Sequence, residues 1–355
     1  MTIYKKKILF LTRYSRMGAS SRLRTYQFLP FLREKGWEVE VKPLFNDQYL
    51  SELYAGKGLS WINVFNCYVN RMLLLFTFHQ YERIVIEKEL FPFLPSWAES
   101  LISRMGGKYI VDYDDAIFHN YDLHRFFWVR LMYKRKIDKI MKYSQKVLVG
   151  NGYLASRAKK SGAREIIYLP TVIDAERYIA SPKLGINSRP KIGWIGSPST
   201  LKHLKGILSV LEKLNKKQPF DLVIIGGGES IGFSGTETLV SWSEEGEVME
   251  IQKLDIGIMP LSDNSWEKGK CAYKLIQYMA CGLPVVGSPV GVNKDVILQG
   301  VNGFLPANEN EWISYLDQLI TDKELRVQMG KAGAKTVQHH YTVQGIFTTY
   351  INALA

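Results

Sequence analysis

Cysteine is scarce in this sequence: Cys67, Cys271 and Cys281 are the only three in 355 residues, and none sits at a paired spacing. A disulfide framework and a zinc cluster are therefore disfavoured, and a reducing compartment is expected. An uninterrupted apolar run is also missing. The most apolar stretch, LSWINVFNCYVNRMLLLFTFH at 59–79, carries Asn63, Asn66, Asn70 and Arg71, all costly in hydrocarbon. It is expected to be an amphipathic helix and not a membrane span. The opening MTIYKKKILFLTRYSRMG is basic and then apolar, but Arg13 and Arg16 stand where a signal peptide needs small residues, so a first buried strand is expected there. The full G-x-G-x-x-G dinucleotide fingerprint is absent as well, which argues against a nicotinamide-dependent oxidoreductase. There is no low-complexity segment and no short repeat.

Acidic residues are in deficit. Lys and Arg number 46 against 34 Asp and Glu, a formal net charge of +12. That balance suggests an anionic partner: a phosphorylated small molecule, nucleic acid or an acidic membrane surface. The plainer alternative is that the lysines serve solubility.

What is present is an alternation of strand and helix patterns. KKKILFLT, WEVEVKPL, YERIVIEKE, KYIVDYDD and QKVLVGN read as strands, with helices expected at RLRTYQFLPFLREKG and PSWAESLISRMGG. The rhythm restarts after the polar SPKLGINSRP. KIGWIGS, DLVIIGGG, LDIGIMPL and LPVVGS read as strands, LKGILSVLEKLNKK as a helix, and the region from about 310 as helical. The spacing predicts an α/β protein of two Rossmann-like doubly wound domains facing across a cleft. Residues 1–170 form the N-terminal domain and 171–338 the C-terminal one, while 339–355 is a C-terminal helix crossing back to the first. Ligands of such sheets bind beyond the carboxyl ends of the strands, so residues there carry the functional expectations.

After the first strand, RYSRMGASSRLR places Gly18, Ala19, Ser20 and Arg22 at a helix start, where backbone N–H groups and the positive helix end make an anion site. An ordinary capped turn is equally compatible. GSPSTLKHLKG does the same in the second half, with Ser197, Ser199, Lys202 and Lys205 in reach of a diphosphate. KYIVDYDDAIFHNYD clusters Asp112, Asp114, Asp115 and His119 at a strand end. Asp112 and Asp114 are formally a metal-binding D-x-D pair, which keeps a metal-dependent glycosyltransferase open as an alternative. Residues 124–146, HRFFWVRLMYKRKIDKIMKYSQK, interleave aromatics with Arg125, Arg130, Lys134, Arg135 and Lys136. They are expected to form a basic helix suited to an anionic bilayer or, equally, to plain packing. No nucleic-acid module accompanies the charge, and no nucleic-acid partner is expected.

SWEKGKCAYKLIQYMACGLPVVGSPVGVN is expected to open with a helix presenting Lys270, Lys274 and Gln277 on one face at i, i+4 and i+7. Leu275, Ile276 and Met279 would face inward, and Gly282 and Pro284 would end the helix. QYMACGLPVV, GVNKDVI and GVNGFLP at 300–306, together with KILFLTRYSRMGASSRLR and KELRVQMGKAGAKTVQHHYT, resemble the retaining GT-B-fold glycosyltransferases of family 4. The likeness is strong over 250–345 and loose over 40–170.

That resemblance implies transfer of a sugar from a nucleoside-diphosphate sugar to a hydroxyl acceptor, a lipid-linked or cell-surface glycan precursor. It places Gln277 at the family's ribose-contacting glutamate and Gly269 at its sugar-contacting glutamate, with Glu267 or backbone N–H groups as replacements. Ser197 and Lys205 fall at its diphosphate arginine and lysine, with Lys202, Lys270 or Lys274 compensating for the arginine, and Asp114-Asp115 at its His-Asp pair. Lys274 and Lys205 are then expected to stabilise the leaving diphosphate, with Asp114, Asp115 or His119 orienting the acceptor. No metal and no tightly bound cofactor are expected. The expected location is cytoplasmic, peripheral on the inner membrane face. An inactive nucleotide-sugar or glycan-binding module remains the alternative from another class.

Overall fold

Short runs such as KILFL, RIVIE and DLVII are continuously apolar apart from a polar residue at one end, the pattern of strands covered on both faces. The structure, a computed structural model, describes residues 7–56, 58–180 and 189–355. The basic opening Met1–Lys6 and most of the polar stretch SPKLGINSRP lie outside those residues. The chain divides into two compact units, Met1–Thr171 with Ile346–Ala355, and Val172–Gly345.

The first unit contains strands β1 (Lys7–Leu11), β2 (Glu38–Val41), β3 (Arg83–Glu87), β4 (Tyr109–Tyr113), β5 (Lys146–Val149) and β6 (Ile166–Tyr168). They form one parallel sheet in the order β2-β1-β3-β4-β5-β6. Ile8 to Leu11 of β1 are essentially inaccessible, as expected for a strand with helices on both faces. Because the chain leaves β1 for β2 on one side and returns to β3 on the other, the sheet has a switch point between β1 and β3. The two connecting segments diverge there and leave a crevice. The C-terminal residues belong to this unit through stacking of Phe28 on Tyr350, with ring centroids 4.2 Å apart.

The second unit contains β7 (Lys191–Ile195), β8 (Asp221–Ile225), β9 (Thr236–Val240), β10 (Ile256–Met259), β11 (Val285–Gly287) and β12 (Gly303–Phe304). Their parallel order, β12-β11-β10-β7-β8-β9, puts the switch point between β7 and β10. Period-two alternation along β7 builds the two core layers. Ile192 and Trp194 join Leu211, Leu214 and Leu316 on one face, while Ile195 joins Leu254, Leu275 and Met279 on the other. Gly193 is required for close packing, since a Cβ there would come within 2.1 Å of Leu254. Asn308 and Asp322 cap the helices Glu309–Thr321 and Lys323–His340 by accepting backbone N–H groups, each worth about 1 kcal/mol.

Three helical expectations are corrected. RLRTYQFLPFLREKG is not one helix: Ala19–Arg24 and Leu29–Glu34 are separated by a 3-10 turn, because Pro30 suits only the first turn of a new helix. Residues 124–146 form two helices, Phe127–Tyr133 and Lys136–Tyr143, and Lys136 is buried against Glu89 at 2.5 Å and not solvent-facing. The helix read from SWEKGK begins only at Tyr273. A 3-10 turn, Glu267–Gly269, precedes it, and Lys270 is extended, so Lys270 does not share a helical face with Lys274 and Gln277. The strands β6 and β9 were not read from the sequence, and the apolar segment at 59–79 is the helix Trp61–Leu74 continued by a 3-10 turn.

Candidate functional site

Each switch point carries a charged cluster. In the first unit, the residues after β1 and β3 converge on Glu87. Its carboxylate accepts the Arg13 N–H at 3.0 Å, the Ser21 hydroxyl at 2.6 Å and the Ser20 hydroxyl at 2.8 Å. Ser20 is also 2.7 Å from Asp114. The Ser20 hydroxyl has one hydrogen for the two carboxyl groups it touches. Burial pushes the Glu87 carboxyl up, against the opposing field of Lys88 and with help from the charge on Asp114. Asp114 stays below the ordinary range. Burial disfavours its charge, but Lys88 at 2.9 Å, Arg24 and Ser20 outweigh that cost.

Lys88 is buried with a left-handed backbone, φ 68°, which aims its ammonium at Asp114 and, at 3.7 Å, at Asp115. Of the expected acceptor-side residues, the fold therefore brings Asp114 and Asp115 together around Lys88. It sets His119 apart: its two ring nitrogens are held by Asp122 at 2.7 Å and Tyr153 at 2.8 Å, which leaves neither for an acceptor. Asp112 is likewise committed, taking a bidentate pair from buried Arg24 at 2.8 and 2.5 Å. Asp112 and Asp114 thus do not stand as a free D-x-D pair.

At the expected anion site, 18–22, the side chains are engaged within the protein. Gly18 precedes the helix, where a Cβ would strike Tyr14, and it is followed by Ala19. The hydroxyls of Ser20 and Ser21 are spent on carboxylates, and Arg22 is buried, donating to the Arg16 carbonyl. Neither serine caps the helix.

In the second unit the centre is Lys274, in the first turn of the helix after β10. Its Nζ lies over the Trp194 ring, 4.2 Å from the centroid, and 2.5 Å from where a Cβ of residue 196 would stand. Only glycine at 196 lets the ammonium reach the end of β7. Among the described residues it has neither hydrogen bond nor ion pair. Burial and then the charge of Lys270 push it down to about 7, against a weaker pull from Glu267. The ammonium is thus half-buried on an aromatic floor, with no ion pair among the described residues.

Next to it, buried Glu267 pairs with His203 at 3.1 Å and with Lys270 at 3.6 Å. Burial works against its charge, but the His203 contact and the fields of Lys270, His203 and Lys202 hold its carboxyl down. The turn between them passes through Ala272 at φ 52°, a left-handed non-glycine residue that fixes the direction of the helix. Gly269 is buried in this turn.

Several other expected donor residues are engaged by neighbours. Gln277 is buried and donates to the Tyr178 hydroxyl at 2.7 Å. Tyr178 in turn donates to Glu247 at 2.6 Å, and Trp242 reaches the same carboxylate at 2.8 Å. Ser197 and Ser199 bond to each other at 2.9 Å after β7, and Lys202 is exposed. Lys205 spends its ammonium on the exposed Glu229, 2.7 Å away, an ordinary surface pair. Sequence reasoning missed Trp194, His203, Glu87 and Lys88. The EKE run after a strand was the one available signal for the last two.

The two parallel six-stranded sheets are those of the GT-B fold. The sucrose-phosphate synthase of Thermosynechococcus elongatus superposes with a TM-score of 0.75 at 13% identity over 98% of both chains. Anabaena HepE, solved with UDP, gives 0.67 at 14% identity, covering 98% of this chain and 99% of its own. A glycosyltransferase from Rickettsia africae gives 0.68 at 13% identity, covering 98% and 97%. Within that fold, residues 189–322 match the family model described as glycosyl transferases group 1. No curated protein sequence matches the chain.

Proposed function

We propose that this protein is a retaining glycosyltransferase. In this reading it moves a sugar from a nucleoside-diphosphate donor held by the second unit to a hydroxyl acceptor held by the first, as in family 4. The acceptor is a lipid-linked or cell-surface glycan precursor, and the enzyme works on the cytoplasmic face of a membrane, with residues 124–146 against anionic lipid. The observation that carries the reading is Lys274: an ammonium with no ion pair among the described residues, held on Trp194 beside Gly196 at the β7/β10 switch point. HepE, which shares the fold, has also been solved with UDP-glucose, and this favours a nucleoside-diphosphate sugar.

As the sugar leaves, negative charge grows on the diphosphate. Lys274, with Lys270 and Lys202 nearby, is preorganised to receive it, which lowers the barrier without a metal. Protonation of Lys274 is drawn up by the bound anion, so donor affinity is greatest below pH about 7 and falls as the free ammonium deprotonates. Asp114 and Asp115, fixed by Lys88, present carboxylate oxygens to the acceptor hydroxyl.

A thermal-shift panel of nucleoside diphosphates and their sugars tests this. At least one should raise the melting temperature of the wild type by mass action and leave Lys274→Ala unmoved. Failure of every nucleoside diphosphate to shift the wild type refutes the donor assignment.

A further inference from the structure

The helix Trp61–Leu74 has two apolar sides, and only one is used. Val64, Cys67 and Tyr68 pack on Leu44, Phe45 and Tyr49, and buried Arg71 donates to the Thr12 and Lys42 carbonyls. The opposite side carries Trp61, Ile62, Phe65, Val69 and Leu73, and the stripe continues past the helix to Phe76. Trp61 is 84% exposed, Phe65 67% and Phe76 77%. At 100° per residue, the five helical positions fall within an arc of roughly 120°, a continuous stripe. Isolated exposed apolar residues are ordinary, but a contiguous aromatic stripe is not. Along the helix the amides of Asn66 and Asn70 flank it.

A second uncovered element adjoins it. The helix Phe127–Tyr133 buries none of its residues, and Phe127, Trp128, Leu131 and Met132 are exposed. The loop after β3 links the two elements: Tyr68 donates to the Pro92 carbonyl at 2.8 Å, and Phe93 lies 6.3 Å from His124. No Asp or Glu occurs between Asp122 and Asp138, while Arg125, Arg130, Lys134 and Arg135 do. Arg125 and Arg130 sit over the Phe126 and Phe127 rings at 4.5 and 5.9 Å. Asn63 pairs with Asn46, which follows β2, while Phe93 and Phe126 follow β3 and β4, so all three segments start from the carboxyl ends of the strands, the edge that carries Lys88 and Asp114.

We propose that the stripe Trp61–Phe76 is a lipid-inserting element of this protein. It seats in the acyl boundary of an anionic bilayer while the neighbouring acid-free helix meets the headgroups. Charge complementarity selects this occupant. A second copy would bring the same acid-free cationic rim against itself, whereas anionic headgroups neutralise the cations and acyl chains receive the uncharged stripe. Among the described residues no helix is long and apolar enough to cross a membrane, so the contact is one of insertion into one leaflet. This inference deepens the membrane part of the proposed function and rests on it only for the nature of the surface. The acceptor's polar end would then meet Lys88 and Asp114 while its lipid remained in the bilayer.

The test is flotation of the full chain with phosphatidylcholine vesicles and with phosphatidylcholine–phosphatidylglycerol vesicles, at low and high salt. Salt removes the electrostatic share of binding and leaves the inserted share. The wild type should keep measurable binding to anionic vesicles at high salt, and Phe65→Glu/Leu73→Glu should lose at least tenfold of it. Arg130→Gln/Arg135→Gln should lose binding only at low salt. Both sites are exposed, so melting temperatures and nucleoside-diphosphate shifts should stay at the wild-type values, and an uncharged Phe65→Ser/Leu73→Ser pair serves as the second variant. High-salt binding that is undiminished in both stripe variants overturns the proposal. So does a lipid-free dimer of the wild type that the stripe variants dissolve without a change in vesicle binding, since the stripe is then a self-association surface. A nucleotide assay that succeeds while flotation fails leaves the donor assignment standing and removes only this inference.

Discussion

Replacing Lys274 by Met separates what the residue does for folding from what it does for function. The folded protein holds this ammonium at about 7 in place of the ordinary lysine value of 10.5. At about 1.4 kcal/mol per tenfold change, that difference sets a ceiling of ~5 kcal/mol on the cost of keeping it charged in the fold. Lys274 is only half-buried, and solvent screening brings the cost to about 1–2 kcal/mol. Methionine keeps the length of the stem, removes the charge and makes a favourable sulfur contact with Trp194.

Lys274→Met should therefore stabilise the ligand-free second unit below pH about 7, raising its melting temperature by about 3–6 °C. Between about 7 and 10.5 the unfolded chain keeps the lysine proton that the folded chain has released. The wild type then gains stability with rising pH, and the advantage of the variant disappears. Differential scanning fluorimetry across that range reads both effects, and repeating it with a nucleoside diphosphate should show stabilisation of the wild type alone. A variant that melts below the wild type near pH 6, or an advantage that persists unchanged near pH 10, would falsify the account of a desolvated ammonium awaiting an anion.

Three further outcomes follow from the same geometry. Arg24→Met strands the buried Asp112 carboxylate and should cost the first unit about 3–5 kcal/mol in urea titration, whereas loss of an exposed pair such as Lys205 with Glu229 should be near neutral. Burial pushes the Glu87 carboxyl up, and Glu87→Gln keeps an oxygen to accept from Arg13 and Ser21, so denaturant titration should show a change within about 1 kcal/mol, and unfolding of the first unit would refute this. Ala272→Gly releases a left-handed alanine and should stabilise the second unit by about 1 kcal/mol while loosening the turn before Lys274, seen as weaker donor binding.

Much of the architecture was legible because the strands are apolar runs bounded by charge or glycine, and a buried parallel strand leaves that mark wherever it lies. KILFL, RIVIE and DLVII could hardly be anything else. The short TETLV and IIY escaped notice because edge strands, partly exposed, keep polar residues and carry weaker patterns. Helix boundaries were the poorest guide. Lys270 sits at perfect helical spacing from Lys274 and Gln277, yet Ala272 turns left-handed and breaks the register, and no periodicity signals that. Gln277 looked outward by spacing and is turned inward by a phenol, Tyr178, nearly a hundred positions away.

Local sequence, then, settled the type and order of the secondary elements and the glycine-rich turns after several strands, because propensity and pattern act over a few neighbouring residues. It also placed Lys274 on a helix that follows a strand, though in its middle and not in its first turn. The partners were decided only in three dimensions. Placing β10 beside β7 brings Trp194 and Gly196 under Lys274, and placing β3 beside β1 brings Glu87 against Ser20 and Ser21. Charge desolvation depends on what surrounds a group and not on what precedes it in the chain, so the shifts of Lys274 and Glu87 belong to the fold alone.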